Sequence, residues 1–187
     1  MPKHKENDVT HFSIFLWIQM ARDDLSVAKI ETVSSFIRCY HAQQAMEKML
    51  KASFVVVAGK FHHNSKMLIE EKEKKSGNAT SRYEPNCAWE LEEGIKFPKI
   101  HDIVALWEHL RCYDKNAFLP LAAKQEDFMN KASKCATDYR YPYFLPKNNS
   151  QVCFIPEDDV KAMVEAAEQL YGDLYNYISN KCQSHNN

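Results

Sequence analysis

One group of polar side chains recurs at helical spacing in the segment YHAQQAMEKMLKA, residues 40–52. Its members, three or four positions apart, are His41, Gln44, Lys48 and Lys51. A helix places them on one face, opposite an apolar face of alanine, methionine and leucine. Two lysines one turn apart attract a phosphate, so the segment suits nucleotide binding. It equally suits an ordinary solvated helix face.

Arg140 follows a predicted helix, close to its apolar side. A guanidinium near a core face needs acceptors. A carboxylate such as Glu47, the last carbonyls of its own helix, or a ligand phosphate would serve. Three tyrosines surround it and suit either base stacking or packing; they are Tyr139, Tyr141 and Tyr143.

His101 stands at the start of another predicted helix, in KIHDIVALWEHL, residues 99–110. The helix dipole disfavours an imidazolium there and leaves a neutral ring, able to act as a base or a hydrogen-bond donor. A capping or packing histidine is the simpler interpretation. Gln43, at the edge of the apolar face of the earlier segment, is predicted to pair with a neighbouring helix.

Several kinds of site are missing from the 187 residues. No phosphate-binding loop, dinucleotide fingerprint, zinc-protease motif or nucleophile elbow occurs, so no cofactor is expected. The six cysteines form no CxxC pair, and His62 and His63 lack partners at metal spacing, so no metal is expected. A formal net charge of -1 excludes a global basic field for nucleic acid.

Helical periodicity predicts an all-α fold, an up-and-down antiparallel bundle of four to five helices. The predicted helices cover residues from about 10 to 30, 33 to 58, 100 to 110, 117 to 139 and 156 to 180. Gly59 is a suitable end for the second helix, and Asp102 suits the positive end of the third. Pro156 and the acids after it suit the start of the last.

The stretch from about 61 to 98 changes character, with the charge run EEKEKK followed by SGNATS. We expect an insertion between helices 2 and 3, with one short helix on each side of a flexible tip. Residues 1–187 are therefore predicted to form a single domain with its core at about 10–180. No apolar run approaches a membrane span, and the polar N-terminus lacks a signal-peptide core, so a cytoplasmic location is expected.

Four segments in order carry a resemblance to a known family: ARDDLSVAKI, YHAQQAMEKMLKA, KIHDIVALWEHL and DYRYP. Together they resemble the HEPN domain, the higher eukaryotes and prokaryotes nucleotide-binding domain. The resemblance implies a compact helical bundle, frequent homodimers, and nucleotide or RNA as the ligand. Many relatives are ribonuclease toxins paired with a small nucleotidyltransferase antitoxin.

The catalytic relatives carry an arginine followed four to six residues later by a histidine, at the dimer interface. In this chain Arg140 is followed by YPYFLPKNN, and Arg38 precedes His41 by only three residues. The resemblance therefore favours a non-catalytic nucleotide- or RNA-binding module. Its predicted binding residues are Lys48, Lys51, His101, Arg140 and Tyr141.

Two alternatives stay open. One is a ribonuclease toxin with an atypical site, in which Arg140 and His101 act as charge stabiliser and acid/base. The other is a structural or protein-interaction module, in which Arg140 and Gln43 only hold helices together.

Overall fold

The computed structural model describes residues 11–62, 88–115, 129 and 155–184. These residues contain four helices and three short strands. In chain order they are β1 (His11–Ser13), α1 (Ile14–Ala28), α2 (Ser35–Ala58), β2 (Gly59–His62), β3 (Ala88–Leu91), α3 (Ile103–Tyr113) and α4 (Glu157–Ser184). The predicted all-α bundle is confirmed. The helix predicted over 117–139 lies outside the described residues, except for the buried Met129.

Helix α2 lies at the centre of the bundle, in contact with α1, α3 and α4. From Cys39 to Ala58 no residue of α2 is exposed. Its apolar side chains form much of the core, together with Leu106 and Leu110 of α3 and Leu170 and Leu174 of α4. The polar face is therefore only partly solvated, since His41, Gln44 and Lys48 are half-buried and Lys51 is buried.

Arg38 joins the ends of three helices. Its side chain is buried in the first turn of α2, where its Nε donates to the carbonyl of Ala28 at 3.0 Å. Its Nη1 donates to the carboxylate of Glu157 at 2.5 Å. A buried guanidinium requires such acceptors, so this contact holds the end of α1 and the start of α4 against α2.

A small antiparallel sheet, in the order β1-β3-β2, accompanies the helices. Trp89 pairs in register with Phe12 on one side and Phe61 on the other, and its side chain is fully buried. The expected short helices beside the insertion tip are wrong in the described part, where strands β2 and β3 stand instead. Strands of three or four residues are too short to show an alternating pattern; residues 63–87 lie outside the described part.

The ends of the helices agree with the capping signals. The Asp102 carboxylate accepts from the backbone N–H groups of Val104 at 2.9 Å and Ala105 at 3.2 Å, which confirms its place at the start of α3. Helix α4 begins directly after Pro156. None of the described helices combines the length and the apolar character needed to cross a membrane.

Gly59 ends α2 as predicted, but in an extended conformation that leads straight into β2. A Cβ at this position would lie 2.4 Å from the carbonyl oxygen of Val55 and 2.9 Å from that of Glu90. The absence of a side chain therefore allows the helix end and β3 to approach each other closely.

We expect Gly59→Ala to lower the free energy of unfolding by about 1–3 kcal/mol, because backbone atoms must shift to admit the methyl group. Gly172→Ala is the matched control, since a Cβ there meets nothing within 4 Å in the interior of α4. That variant should gain about 0.5–1 kcal/mol from helix propensity. Urea unfolding measures both, and equal effects of the two substitutions would contradict the packing argument.

Candidate functional site

Glu47 of α2 is the acceptor at the centre of a polar cluster. Its side chain is only 7% exposed. One oxygen, Oε1, accepts from Lys51 Nζ at 2.7 Å and lies 2.8 Å from His101 Nδ1. The other, Oε2, accepts from the amides of Gln43 at 3.2 Å and Gln44 at 3.4 Å. These five residues are called the Glu47 cluster below.

The Glu47 carboxylate is held in its charged form. Burial acts to raise its pKa, but the hydrogen bonds and charges of Lys51 and His101 together outweigh burial, so the pKa is lowered from its ordinary value of 4.5. At neutral pH the cluster therefore contains a buried carboxylate–ammonium pair. The Lys51 ammonium also lies over the ring of Phe97, 6.0 Å from its centroid.

His101 lies just before the Asp102 cap of α3, and its side chain is 53% exposed. Because a carboxylate can only accept, the contact with Glu47 assigns the ring proton to Nδ1. The carboxylate beside the ring was not predicted from the sequence, in which Glu47 is 54 positions away. The Gln43 amide donates to the carbonyl of His101 at 3.3 Å, so Gln43 contacts the segment that leads into the neighbouring helix α3.

A second polar cluster lies where α2 packs against α1 and consists of Asp24, His41 and Lys48. One carboxylate oxygen of Asp24, on α1, lies 2.8 Å from His41 Nδ1. The other oxygen forms an ion pair with Lys48 Nζ. The exposed fractions of the three side chains are 13%, 27% and 17%. This group is called the Asp24 cluster below.

Asp24 was not predicted from the sequence as a site residue. Its spacing nevertheless indicates a position on the packed side of α1, because it stands three positions after Ala21 and four before Ala28, and both alanines are buried in the core. An acid on the packed side of a helix requires a partner from a neighbouring element. The lysine-rich face of α2 was the available source of that partner.

The structure brings three of the five predicted binding residues close to one another on α2 and at the start of α3. They are Lys48, Lys51 and His101. Each of them contacts a carboxylate, so neither lysine offers an uncompensated charge to a phosphate. Arg140 and Tyr141 lie outside the described residues. Within the described part no group of three or more His, Cys, Asp or Glu side chains could hold a metal ion.

The chemistry available here is that of a carboxylate-held histidine. A carboxylate at Nδ1 sets the tautomer and the orientation of the ring, which suits hydrogen bonding to a ligand or proton transfer. The Glu47 cluster presents such a ring at the surface. The Asp24 cluster presents a more enclosed one beside a lysine.

We expect Glu47→Gln to lower the free energy of unfolding by about 3–5 kcal/mol, because it leaves the Lys51 ammonium buried without a counter-charge. The double variant Glu47→Gln/Lys51→Met removes that stranded charge and should recover much of the loss. A double-mutant cycle measured by urea unfolding checks this. Additive losses would show that the two side chains do not act as a pair.

The same pair predicts a pH dependence of stability. The lowered pKa of Glu47 means that its contribution is complete above its unfolded value of 4.5 and is lost as the pH falls through the lower folded value. The difference in unfolding free energy between the wild type and Glu47→Gln should thus be constant above about pH 6 and shrink in acid. A difference that stays constant down to about pH 3 would contradict the assignment.

Two overlapping segments, residues 15–93 and 87–177, match the family model described as the HEPN domain. Together they span residues 15–177 of the 187-residue chain, and they overlap at residues 87–93, which include β3. Comparison with curated proteins and with solved structures found no match. The matched range contains α1, α2, α3, most of α4 and both polar clusters, and the chain therefore belongs to the HEPN domain family.

Proposed function

We propose that this HEPN domain binds a nucleotide or RNA, without cleaving it, at the surface where the Glu47 cluster meets the start of α3. The observation that carries the proposal is the placement of His101. Its ring is half exposed although Nδ1 is anchored to a nearly buried carboxylate. An oriented polar ring at the surface is an arrangement that favours recognition of a ligand over packing.

Lys48 and Lys51 serve different purposes in this proposal. Lys51 is enclosed and bound to Glu47, so it positions the carboxylate that holds His101. Lys48 is more accessible and reaches a ligand phosphate when it exchanges its Asp24 partner. Arg140 and Tyr141, which lie outside the described residues, complete the proposed site with a guanidinium for phosphate and a ring for base stacking.

The absence of cleavage is proposed from the sequence, in which no histidine follows Arg140 within the window that catalytic relatives use. A homodimer and a small nucleotidyltransferase partner are proposed from the family resemblance. The cytoplasmic location stays a prediction.

Titration with ATP, GTP and a short RNA should give saturable binding to one or more of them. His101→Gln and Arg140→Ala should each raise the dissociation constant by about tenfold, the equivalent of about 1.4 kcal/mol. Lys115→Ala is the matched control, because Lys115 is exposed beyond the opposite end of α3. That variant should bind like the wild type, and isothermal titration calorimetry measures all of them.

Absence of binding at millimolar ligand would overturn the proposal. Binding that His101→Gln and Arg140→Ala leave unchanged would overturn the site. If Arg140→Ala instead lowers the melting temperature while every ligand response stays the same, the structural or interaction module becomes the better explanation.

A ribonuclease is the second candidate, and the contact between His101 and Glu47 is the observation that favours it. A histidine oriented by a carboxylate is an arrangement used for acid/base catalysis. If this candidate is correct, the protein cleaves labelled RNA and arrests growth on expression, and both His101→Ala and Arg140→Ala abolish these effects. RNA that stays intact during incubation with the purified protein would exclude it.

A further inference from the structure

The Asp24 cluster holds both basic groups of α2 that are closest to solvent, yet a carboxylate already occupies them. We propose that this cluster is a proton-dependent binding site for one phosphodiester of RNA. In this site His41 and Lys48 hold the phosphate, and the Asp24 carboxylate occupies the position of the phosphate when no ligand is bound. The inference rests on the proposed function, since it assigns a ligand class and a regulation to part of the same surface.

The geometry makes Asp24 an internal competitor. Each of its oxygens contacts one basic side chain, with 2.8 Å to His41 Nδ1 and an ion pair to Lys48 Nζ. A phosphate offers the same acceptors to the same two donors. The partial exposure of His41 and Lys48 leaves both within reach of a ligand from solvent, whereas Lys51 is enclosed.

The charges explain why a proton is needed. The Asp24 carboxylate and the Lys48 ammonium cancel, so with a neutral His41 the cluster has no net charge to attract a phosphate. Protonation of His41 makes the cluster cationic and supplies a second charged donor. Histidine is the side chain whose charge ordinarily changes between about pH 5 and 8, so the affinity is compared across that range.

Several charged groups of the neighbouring elements, in the described part of the chain, have interactions of their own. Beside His41, Tyr40 presents its ring at 5.4 Å. Elsewhere, Lys29 of α1 forms an ion pair with Glu168 of α4. Burial raises the pKa of Tyr171 of α4, and the charge of Arg22 opposes that rise. Further along α2, Glu47 contacts both Lys51 and the His101 ring at the start of α3.

The effect of His101, which belongs to the Glu47 cluster, must be separated from that of His41. Variants of each histidine make that separation.

The test is a titration of the full chain with a fluorescent short oligouridylate that has hydroxyl ends, at several values from about pH 5.5 to 8. Its phosphodiesters and uracil rings keep their charge over this range, unlike the terminal phosphates of ATP, which gain a proton near pH 6. The wild-type dissociation constant should fall by about tenfold or more from the top to the bottom of the range, because a proton taken up on binding changes it by up to about tenfold per pH unit.

Variants of the two histidines show which ring takes up the proton when the ligand binds. His41→Gln should remove most of this pH dependence and bind weakly throughout. His101→Gln should bind more weakly than the wild type but keep the pH dependence. Lys115→Ala should match the wild type at every pH, and thermal unfolding of each variant confirms that it is folded.

Asp24→Asn tests the competitor directly. It removes the carboxylate but keeps the shape of the side chain, so the dissociation constant at about pH 8 should fall by several-fold. A merely structural role for Asp24 predicts equal or weaker binding instead. If this variant does not fold, the comparison of wild type with His41→Gln still decides the proposal.

The outcomes separate the two proposals. Absence of oligouridylate binding at every pH overturns the inference, while retained binding of ATP or GTP preserves the broader function. RNA binding that does not vary with pH, or that varies equally in His41→Gln, overturns the inference and leaves RNA binding intact. Unchanged or weaker binding by folded Asp24→Asn at high pH overturns the competitor role.

Discussion

The enclosure of α2, in which no residue from Cys39 to Ala58 is fully exposed, is the constraint on which the rest of the structure depends. A helix surrounded by other elements normally carries apolar residues all round, but α2 carries arginine, glutamine, glutamate and lysine within its buried length. Each of these side chains must find a partner to offset the loss of water. The partners come from three different elements, and this requirement determines which helices contact α2 at which turn.

The partners follow one another along α2. At its first turn Arg38 contacts the end of α1 and the start of α4. One to three turns later the Asp24 cluster joins α2 to the middle of α1, and the Glu47 cluster joins it to the start of α3. The same contacts that hold the bundle together also orient the two histidines. Stability and the candidate site are therefore supplied by a single set of ion pairs.

This dual use explains why Lys48 and Lys51 are not simple phosphate ligands. In water two lysines one turn apart would form an open cationic patch. Inside the bundle each of them is matched by a carboxylate, so neither lysine offers an uncompensated charge.

Much of the fold was predictable from local patterns. Periodicity predicted α1, α2, α3 and α4, and local capping rules predicted Gly59, Asp102 and Pro156 at their ends. The three-stranded sheet was not predictable, because its short strands come from distant parts of the chain and pair only after folding. The close approach of β3 to Gly59 was not predictable for the same reason.

The sequence by itself determined the helices, the family and the set of polar residues on α2, because these depend on spacing along the chain. Only the tertiary structure decided which of those residues are enclosed and what they contact. Asp24 lies seventeen positions before His41, and His101 lies fifty-four positions after Glu47. Their pairing follows from the packing of α1 and α3 against α2, and the charge of the site follows from that pairing.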